Sequence, residues 1–213
     1  IDFDYFDDRK TYHDMEFGIV ASFSKIFTNS FLENNSELFN IHLSLLPKYR
    51  GPTPVETAIL NKEIESGYTV FKIDNDIDTG KIIFQNTLNI ENKYASEIYS
   101  EIYKLFESDF SSIDFYKTGL DQNGNSSFTM KFFKNDFNIS ESSINEAKNK
   151  IKAFDTLGPA FVVFKNKILK VHSYSDVKNE SRIELSDGYI YPVDVTPEGK
   201  RKMSFDDYLR GLK

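Results

Sequence analysis

The chain has 213 residues, a formal net charge of −7, 39% hydrophobic residues, 15% aromatic residues and no cysteine. The lack of cysteine excludes disulfides, thiol catalysis and cysteine-ligated metal sites. No stretch approaches the ~20 apolar residues of a membrane-spanning helix, and the acidic opening at 1–8 is unlike a signal or transit peptide. Length and composition therefore predict a globular chain of one large or two small domains.

The charge is distributed unevenly along the chain. Residues 1–126 hold 11 basic against 21 acidic side chains, whereas residues 127–213 hold 15 basic against 12 acidic ones. A basic half joined to an acidic half favours contact between the second half and a polyanion. Ordinary scatter explains an excess this small equally well, so charge alone leaves both interpretations open.

The first half of the chain predicts strands alternating with helices. Apolar runs at 17–23 and 38–43 are typical of buried strands. Thr53–Glu56 has the pattern of a capping box and predicts a helix to about residue 61. Strands at 68–73 and 81–85 flank a turn, and an amphipathic helix covers 98–113, with a stop by Gly119. This order predicts a parallel α/β layer.

The second half predicts a different architecture. The polar, glycine-containing segment 120–127 is the best candidate for a boundary. A helix is predicted at 141–154, followed by strands at 161–164, 168–171, 182–185 and 189–195. Short strands at such close spacing indicate a small barrel.

Three polar side chains carry the candidate chemistry. Asn40 and His42 are two residues apart in a predicted strand and therefore share one face. Asn40 can donate to a tetrahedral oxyanion, and His42 can do so more strongly when protonated. We expect Asp78 to raise the pKa of His42 and fix its tautomer, to order a water, or to act as the base. In isolation, Asn-x-His is usually structural and Asp-x-Gly is usually a turn.

The context of these residues resembles the folate-dependent formyltransferase family. The matching motifs are Asn40-x-His42, Ser44-Leu45-Leu46-Pro47, Arg50-Gly51 and Asp78-Thr79-Gly80. The tail, Pro197–Ser204 followed by 205–211, is similar to that of the methionyl-tRNA formyltransferase branch. The chain departs from the family pattern at Leu43, where proline is usual, and at 158–159, where the order of Gly and Pro is reversed. The resemblance covers roughly residues 14–118 and 128–211.

The resemblance implies a set of site residues and no metal. The implied catalytic residues are Asn40, His42 and Asp78. Those implied to contact the co-substrate 10-formyltetrahydrofolate are Ser44, Leu45, Leu46, Pro47, Phe23, Asp74, Thr79 and Gly80. Those implied to contact tRNA are Arg50, Lys165, Lys167, Lys200, Arg201 and Lys202. Phe23 is explained equally well as a core residue, and the basic turn at 200–202 as a solvated surface.

The resemblance also implies a domain plan and a function. We expect a formyltransferase domain at 1–120 with an incomplete Rossmann-like, mostly parallel sheet that lacks the family's first strands. A linker at 121–136 and an OB-like tRNA-binding domain at 137–213 follow. The implied activity is formyl transfer to the α-amine of initiator methionyl-tRNA. The implied protein is a monomer without a stable protein partner or membrane contact, in the bacterial cytoplasm or the mitochondrial matrix. Two alternatives are a sugar-amine N-formyltransferase and an inactive tRNA-binding remnant.

Overall fold

The computed structural model describes residues 16–21, 27–35 and 37–212. The chain divides into two compact units, each of which is discontinuous in sequence. The first unit comprises 1–54, 66–89 and 102–130, and the second comprises 55–65, 90–101 and 131–213. The predicted division into 1–120, 121–136 and 137–213 stays a prediction.

The first 109 residues contain four strands and three helices within the described ranges. In chain order these elements are β1 (Gly18–Ala21), α1 (Asn29–Glu33), β2 (Leu38–His42), α2 (Pro54–Leu60), β3 (Glu65–Lys72), β4 (Ile82–Asn89) and α3 (Ala95–Asp109). The helix predicted at 98–113 begins and ends earlier, and a short 3₁₀ turn, Phe110–Ser112, follows it. The α1 helix, capped by the Thr28 side chain, was not predicted.

The four strands form one mixed sheet in the order β1-β2-β3-β4. β1 and β2 are parallel, but β2 and β3 are antiparallel, with His42 opposite Thr69. The α/β class is therefore confirmed, while the prediction of a mostly parallel sheet was wrong for the described strands. The connection from β2 to β3 contains only a short helix, and the chain then turns sharply at Lys62, where φ is +60°. Strands that alternate with helices indicate an α/β layer, but the connections between strands decide whether neighbouring strands run parallel or antiparallel.

The two faces of this sheet have different characters. Phe39 is fully buried on one face of β2 and lies in an aromatic cluster with Phe17 and Phe115, with ring centroids 4.6–5.8 Å apart. Because side chains alternate along a strand, Asn40 and His42 point to the opposite face. An apolar cluster on one face thus anchors the strand that presents polar groups on the other.

The capping box predicted at the start of α2 stays a prediction, and Thr53 also has partners far along the chain. The Thr53 N–H donates to Thr129 Oγ1 at 3.1 Å, and the Thr53 hydroxyl donates to the Met130 carbonyl at 2.9 Å. Glu56, only 1% exposed, accepts from the Tyr99 hydroxyl at 2.9 Å. Thr53 and Glu56 therefore have partners beyond those that the sequence pattern predicts.

The second unit contains two antiparallel sheets and two helices from residue 131 onward. Its elements are a 3₁₀ turn (Lys134–Phe137), α4 (Ile144–Ala153), β5 (Phe161–Phe164), β6 (Lys167–Val171), β7 (Tyr174–Ser175), β8 (Ile183–Leu185), β9 (Gly188–Pro192), β10 (Asp194–Pro197), β11 (Met203–Ser204) and α5 (Phe205–Arg210). The sheet orders are β11-β10-β6-β5 and β7-β9-β8. Both sheets contribute to one apolar core that includes Leu169, Val195 and Ile190.

The strand predicted at 189–195 is in fact two strands, β9 and β10. Pro192 ends β9 because it has no N–H to continue the ladder. The next residue, Val193, donates its N–H to the Ser173 carbonyl at 2.9 Å, and β10 then joins the other sheet. No helix within the described ranges has both the length and the apolar character needed to cross a membrane.

Candidate active site

The imidazole of His42 lies between two oxygen atoms. Its Nε2 is 2.7 Å from the Tyr49 carbonyl oxygen, and its Nδ1 is 3.5 Å from Asp78 Oδ2. A carbonyl oxygen only accepts, so the shorter contact assigns the hydrogen of the neutral ring to Nε2. Nδ1 then carries the lone pair and faces the carboxylate. The structure thus brings His42 and Asp78 together, as the sequence predicts.

Burial decides the charge of His42. Only 5% of the residue is exposed, and desolvation lowers its pKa below the ordinary value of 6.5. Asp78 and the Tyr49 carbonyl act in the opposite direction but do not outweigh burial. Asp78 raises the pKa of His42 as expected, but the cost of removing an imidazolium from water is larger, so the net pKa shift is downward. His42 is neutral near pH 7.

Two glycines shape the surroundings of Asp78. Asp78 occupies the left-handed region, with φ +54°, in the turn between β3 and β4. Its Oδ2 accepts from the Gly51 N–H at 2.7 Å. A Cβ at Gly80 would lie 1.7 Å from the Lys72 carbonyl oxygen, so only glycine fits there. The Asp-Thr-Gly and Arg-Gly motifs are thus parts of one hydrogen-bonded arrangement.

A third segment, residues 120–130, contacts both of these loops. Gln122 Oε1 accepts from Arg50 Nε and Nη2 at 3.1 and 2.6 Å, and its Nε2 donates to the Asp78 and Gly80 carbonyls at 2.8 and 2.9 Å. Ser127 Oγ accepts from the Tyr49 N–H at 2.8 Å. We call residues 120–130 the brace segment. Sequence reasoning took most of it for a linker, because a lone Gln or Ser in a polar stretch has no local pattern that marks it.

The loop at 44–47, predicted to contact folate, is held by hydrogen bonds to Lys48 and to Thr69 of β3. Ser44 is fully buried, and its hydroxyl donates to the Lys48 carbonyl at 2.7 Å. The Leu46 N–H donates to Thr69 Oγ1 at 3.1 Å. Leu45 and Pro47 are half-buried and keep some apolar surface accessible. Ser44 and Leu46 therefore support the loop, whereas Leu45 and Pro47 are better placed to meet a ligand.

The remaining predicted folate residues divide into two groups. Asp74, Thr79 and Gly80 lie in the same turn as Asp78, and the Thr79 hydroxyl donates to Asp74 Oδ1 at 2.7 Å. Phe23 lies outside the described residues, so its predicted role stays a prediction.

The residues predicted to contact tRNA are divided between the two units. Arg50 is bound to Gln122 in the first unit, and its guanidinium lies 5.8 Å from the centroid of the Phe128 ring. The other five are exposed in the second unit, where Lys165 and Lys167 flank the β5–β6 turn and 200–202 follow β10. Because Pro197 pairs with Leu169, both turns lie at the same end of their sheet.

No group of three potential metal-ligating side chains occurs within the ranges that the structure describes. The candidate chemistry instead consists of an amide, a neutral imidazole and a carboxylate. This set suits the transfer of an acyl group to an amine.

Comparisons with known proteins agree with that chemistry. Residues 5–110 match the formyl transferase family. The chain is 31% identical over 217 residues to the methionyl-tRNA formyltransferase of Thermosipho melanesiensis, covering 92% of this chain and 71% of that protein. The chain belongs to the methionyl-tRNA formyltransferase family, a family of formyl-transferring enzymes. It spans 59% and 57% of two other curated relatives with the same name.

Solved structures show the same fold. Methionyl-tRNA formyltransferase from Clostridium thermocellum aligns with a TM-score of 0.66 and 19% identity, covering 89% of this chain and 78% of that chain. WlaRD, a sugar 3N-formyl transferase solved with dTDP and 5-N-formyl-THF, aligns with a TM-score of 0.59 and 29% identity, covering 86% and 73%. By their names, these two similar structures are formyltransferases with different acceptors, methionyl-tRNA for one and a sugar for the other.

Proposed function

We propose that this chain transfers the formyl group of 10-formyltetrahydrofolate to the α-amine of initiator methionyl-tRNA. The observation that carries the proposal is the pair of contacts on His42, with Tyr49 on one ring nitrogen and Asp78 near the other. The family relationship supports formyl transfer, and the names of the curated relatives support tRNA as the acceptor. A cytoplasmic location stays a prediction from the sequence.

The neutral imidazole is the proton acceptor in this proposal. When the amine attacks the formyl carbon that the folate supplies, the amine must lose a proton. Collapse of the tetrahedral intermediate then breaks the bond from that carbon to N10 of the folate, and tetrahydrofolate leaves with the proton on N10. His42 Nδ1 is the available base, since its other nitrogen already donates to Tyr49. Protonation of Nδ1 creates an imidazolium 3.5 Å from the Asp78 carboxylate. The negative charge of Asp78 therefore stabilises His42 most when the proton has been transferred.

Asn40 has a separate role. It lies on the same face of β2 as His42, and its side-chain amide can donate to the oxygen of the tetrahedral intermediate. The folate itself fits best against the accessible apolar surface of Leu45 and Pro47, because Ser44 and Leu46 are already hydrogen-bonded to Lys48 and to Thr69 of β3.

The second unit supports a tRNA acceptor. The basic turns 165–167 and 200–202 lie at one end of a sheet, where lysine and arginine side chains suit phosphate contacts. A cleft of about 620 Å³ near them includes Lys134, Lys170 and Lys200 in its lining. Two antiparallel sheets around one core support the OB-like assignment of this unit, a fold type that binds oligonucleotides.

The test is a labelled-formyl transfer assay with two acceptors, charged initiator tRNA and a nucleotide-linked amino sugar. We expect transfer to tRNA, and we expect His42→Ala to reduce it by about 10²-fold or more. Transfer to the sugar alone would favour the sugar N-formyltransferase, which the WlaRD similarity supports. Retention of tRNA without transfer to either acceptor would favour the inactive remnant.

A second experiment tests the basic surface. Combined replacement of Lys200, Arg201 and Lys202 by Ala should raise KM for tRNA and leave KM for folate unchanged. The matched control removes three other exposed charges by replacing Lys104, Lys117 and Lys178 with Ala. Equal effects of the two triple variants would argue against a specific tRNA surface at 200–202.

A further inference from the structure

We infer that Gln122 is a positioning residue for formyl transfer, because its side-chain amide ties the turn that carries Asp78 to the loop that carries Arg50 and Gly51. This inference rests on the proposed function, because its kinetic test measures formyl transfer. It assigns a role to a residue in the segment that the sequence suggests is only a linker.

The hydrogen bonds of Gln122 use the full capacity of its amide. Oε1 accepts from Arg50 Nε and Nη2, and Nε2 donates one hydrogen each to the carbonyls of Asp78 and Gly80. A side-chain amide has two acceptor lone pairs and two donor hydrogens, so all four are engaged. Gln122 is half-buried between exposed neighbours, Asp121 and Asn123. A residue held only for solubility would not form four inward contacts of this kind.

These contacts set the position of the Asp78 carboxylate. Asp78 is held at its main-chain carbonyl by Gln122 and at its side chain by the Gly51 N–H. Arg50, the residue before Gly51, is held by the other end of the same amide. The Gln122 side chain therefore controls the separation between the Gly51 N–H and the Asp78 carboxylate that accepts from it. The 3.5 Å gap to His42 Nδ1 depends on that separation.

The brace segment also supports the opposite side of the imidazole. Ser127 Oγ accepts from the Tyr49 N–H, and the Tyr49 carbonyl accepts from His42 Nε2. The Arg50 N–H donates to the Ser127 carbonyl at 2.9 Å, which fixes the segment against the same loop. Gln122 thus acts from a segment that contacts the surroundings of both His42 and Asp78.

Two variants and one control test the inference. Gln122→Met keeps the length of the side chain and removes every polar contact. Gln122→Glu keeps an acceptor for Arg50 but places an oxygen where two carbonyls need a donor. Asn123→Ala is the control, because that neighbouring amide makes a local contact, to the Asp121 carbonyl at 3.2 Å. Small displacements of catalytic groups can cost about 10²-fold, so we expect both Gln122 variants to lower kcat by about 10- to 100-fold.

The split between kcat and KM is the decisive kinetic readout. The KM for folate should stay within about twofold of the unmodified chain, since Gln122 is not part of the apolar surface proposed to bind folate. Asn123→Ala should leave both parameters unchanged. A kcat within about twofold in Gln122→Glu, or a loss confined to KM, would overturn the inference.

Histidine NMR gives a readout that does not need turnover. The chain has three histidines, and the spectrum of His42→Ala identifies the His42 signal. Displacing Asp78 in Gln122→Met should move the titration of His42 to lower pH. An unchanged titration would overturn the positioning role even if the unmodified chain forms no product, so failure of this inference and failure of the proposed function are distinguishable. If Gln122→Met does not fold, the kinetics of Gln122→Glu decide.

Discussion

Replacing Asp78 by Asn removes one negative charge and little else. The variant side chain has the same size and keeps an oxygen that can accept from the Gly51 N–H. At 3.5 Å and an effective dielectric of about 20, the carboxylate attracts an imidazolium by roughly 5 kcal/mol. A tenfold rate change corresponds to about 1.4 kcal/mol, so this attraction sets an upper end of roughly 10³-fold. We expect Asp78→Asn to lower kcat by about 10²–10³-fold.

The pH dependence of single-turnover formyl transfer distinguishes this mechanism from others. In the unmodified chain, neutral His42 is the base, so the rate should rise with pH and level off above a pKa that burial holds below 6.5. Asp78 acts to raise that pKa, so Asp78→Asn should shift the profile to still lower pH. A kcat within about twofold of the unmodified chain, or a shift of the profile to higher pH, would refute the reasoning. KM for folate serves as the control and should change little.

Three further predictions concern stability. Tyr68→Phe removes a partly buried hydrogen bond of 2.7 Å to Asp109 and should lower the free energy of unfolding in urea by about 1–2 kcal/mol, with kcat unchanged; equal stability would contradict this prediction. Burial raises the pKa of Glu56 above 4.5, so its contribution to stability is present below that pH and is lost as pH rises through the folded-state value. Glu56→Gln should therefore flatten the decline in unfolding free energy above pH 4.5, and an unchanged decline would argue against a buried carboxyl. Gly80→Ala forces a Cβ against the Lys72 carbonyl and should lower both Tm and kcat; a well-folded variant of full activity would show that the turn relaxes freely.

Much of the candidate site could be predicted from local patterns. Asn40 and His42 share a face because side chains alternate along any strand, and this required no knowledge of neighbouring strands. The turn at Asp78-Thr79-Gly80 followed from residue types that favour such geometry. Helix α4 was expected near residue 141, and it begins at Ile144 behind a Ser143–Glu146 capping box.

Other features depended on distant parts of the chain. The antiparallel pairing of β2 with β3 departs from the expected parallel layer, because strand direction depends on the path of the connection between them. Thr53 has partners at Thr129 and Met130, 76 and 77 positions away, which no local pattern predicts. A local pattern lists the partners a residue can have, but competition with distant groups selects among them.

The charge of His42 and the role of Gln122 show the same division. Residue types predict that an imidazole and a carboxylate will interact, and the sequence suffices for that. The direction of the pKa shift depends on how much water the folded chain removes from His42, which is a property of the packed structure. Gln122 meets Arg50 across 72 positions of sequence, and only the folded path of the chain brings the two within hydrogen-bonding distance.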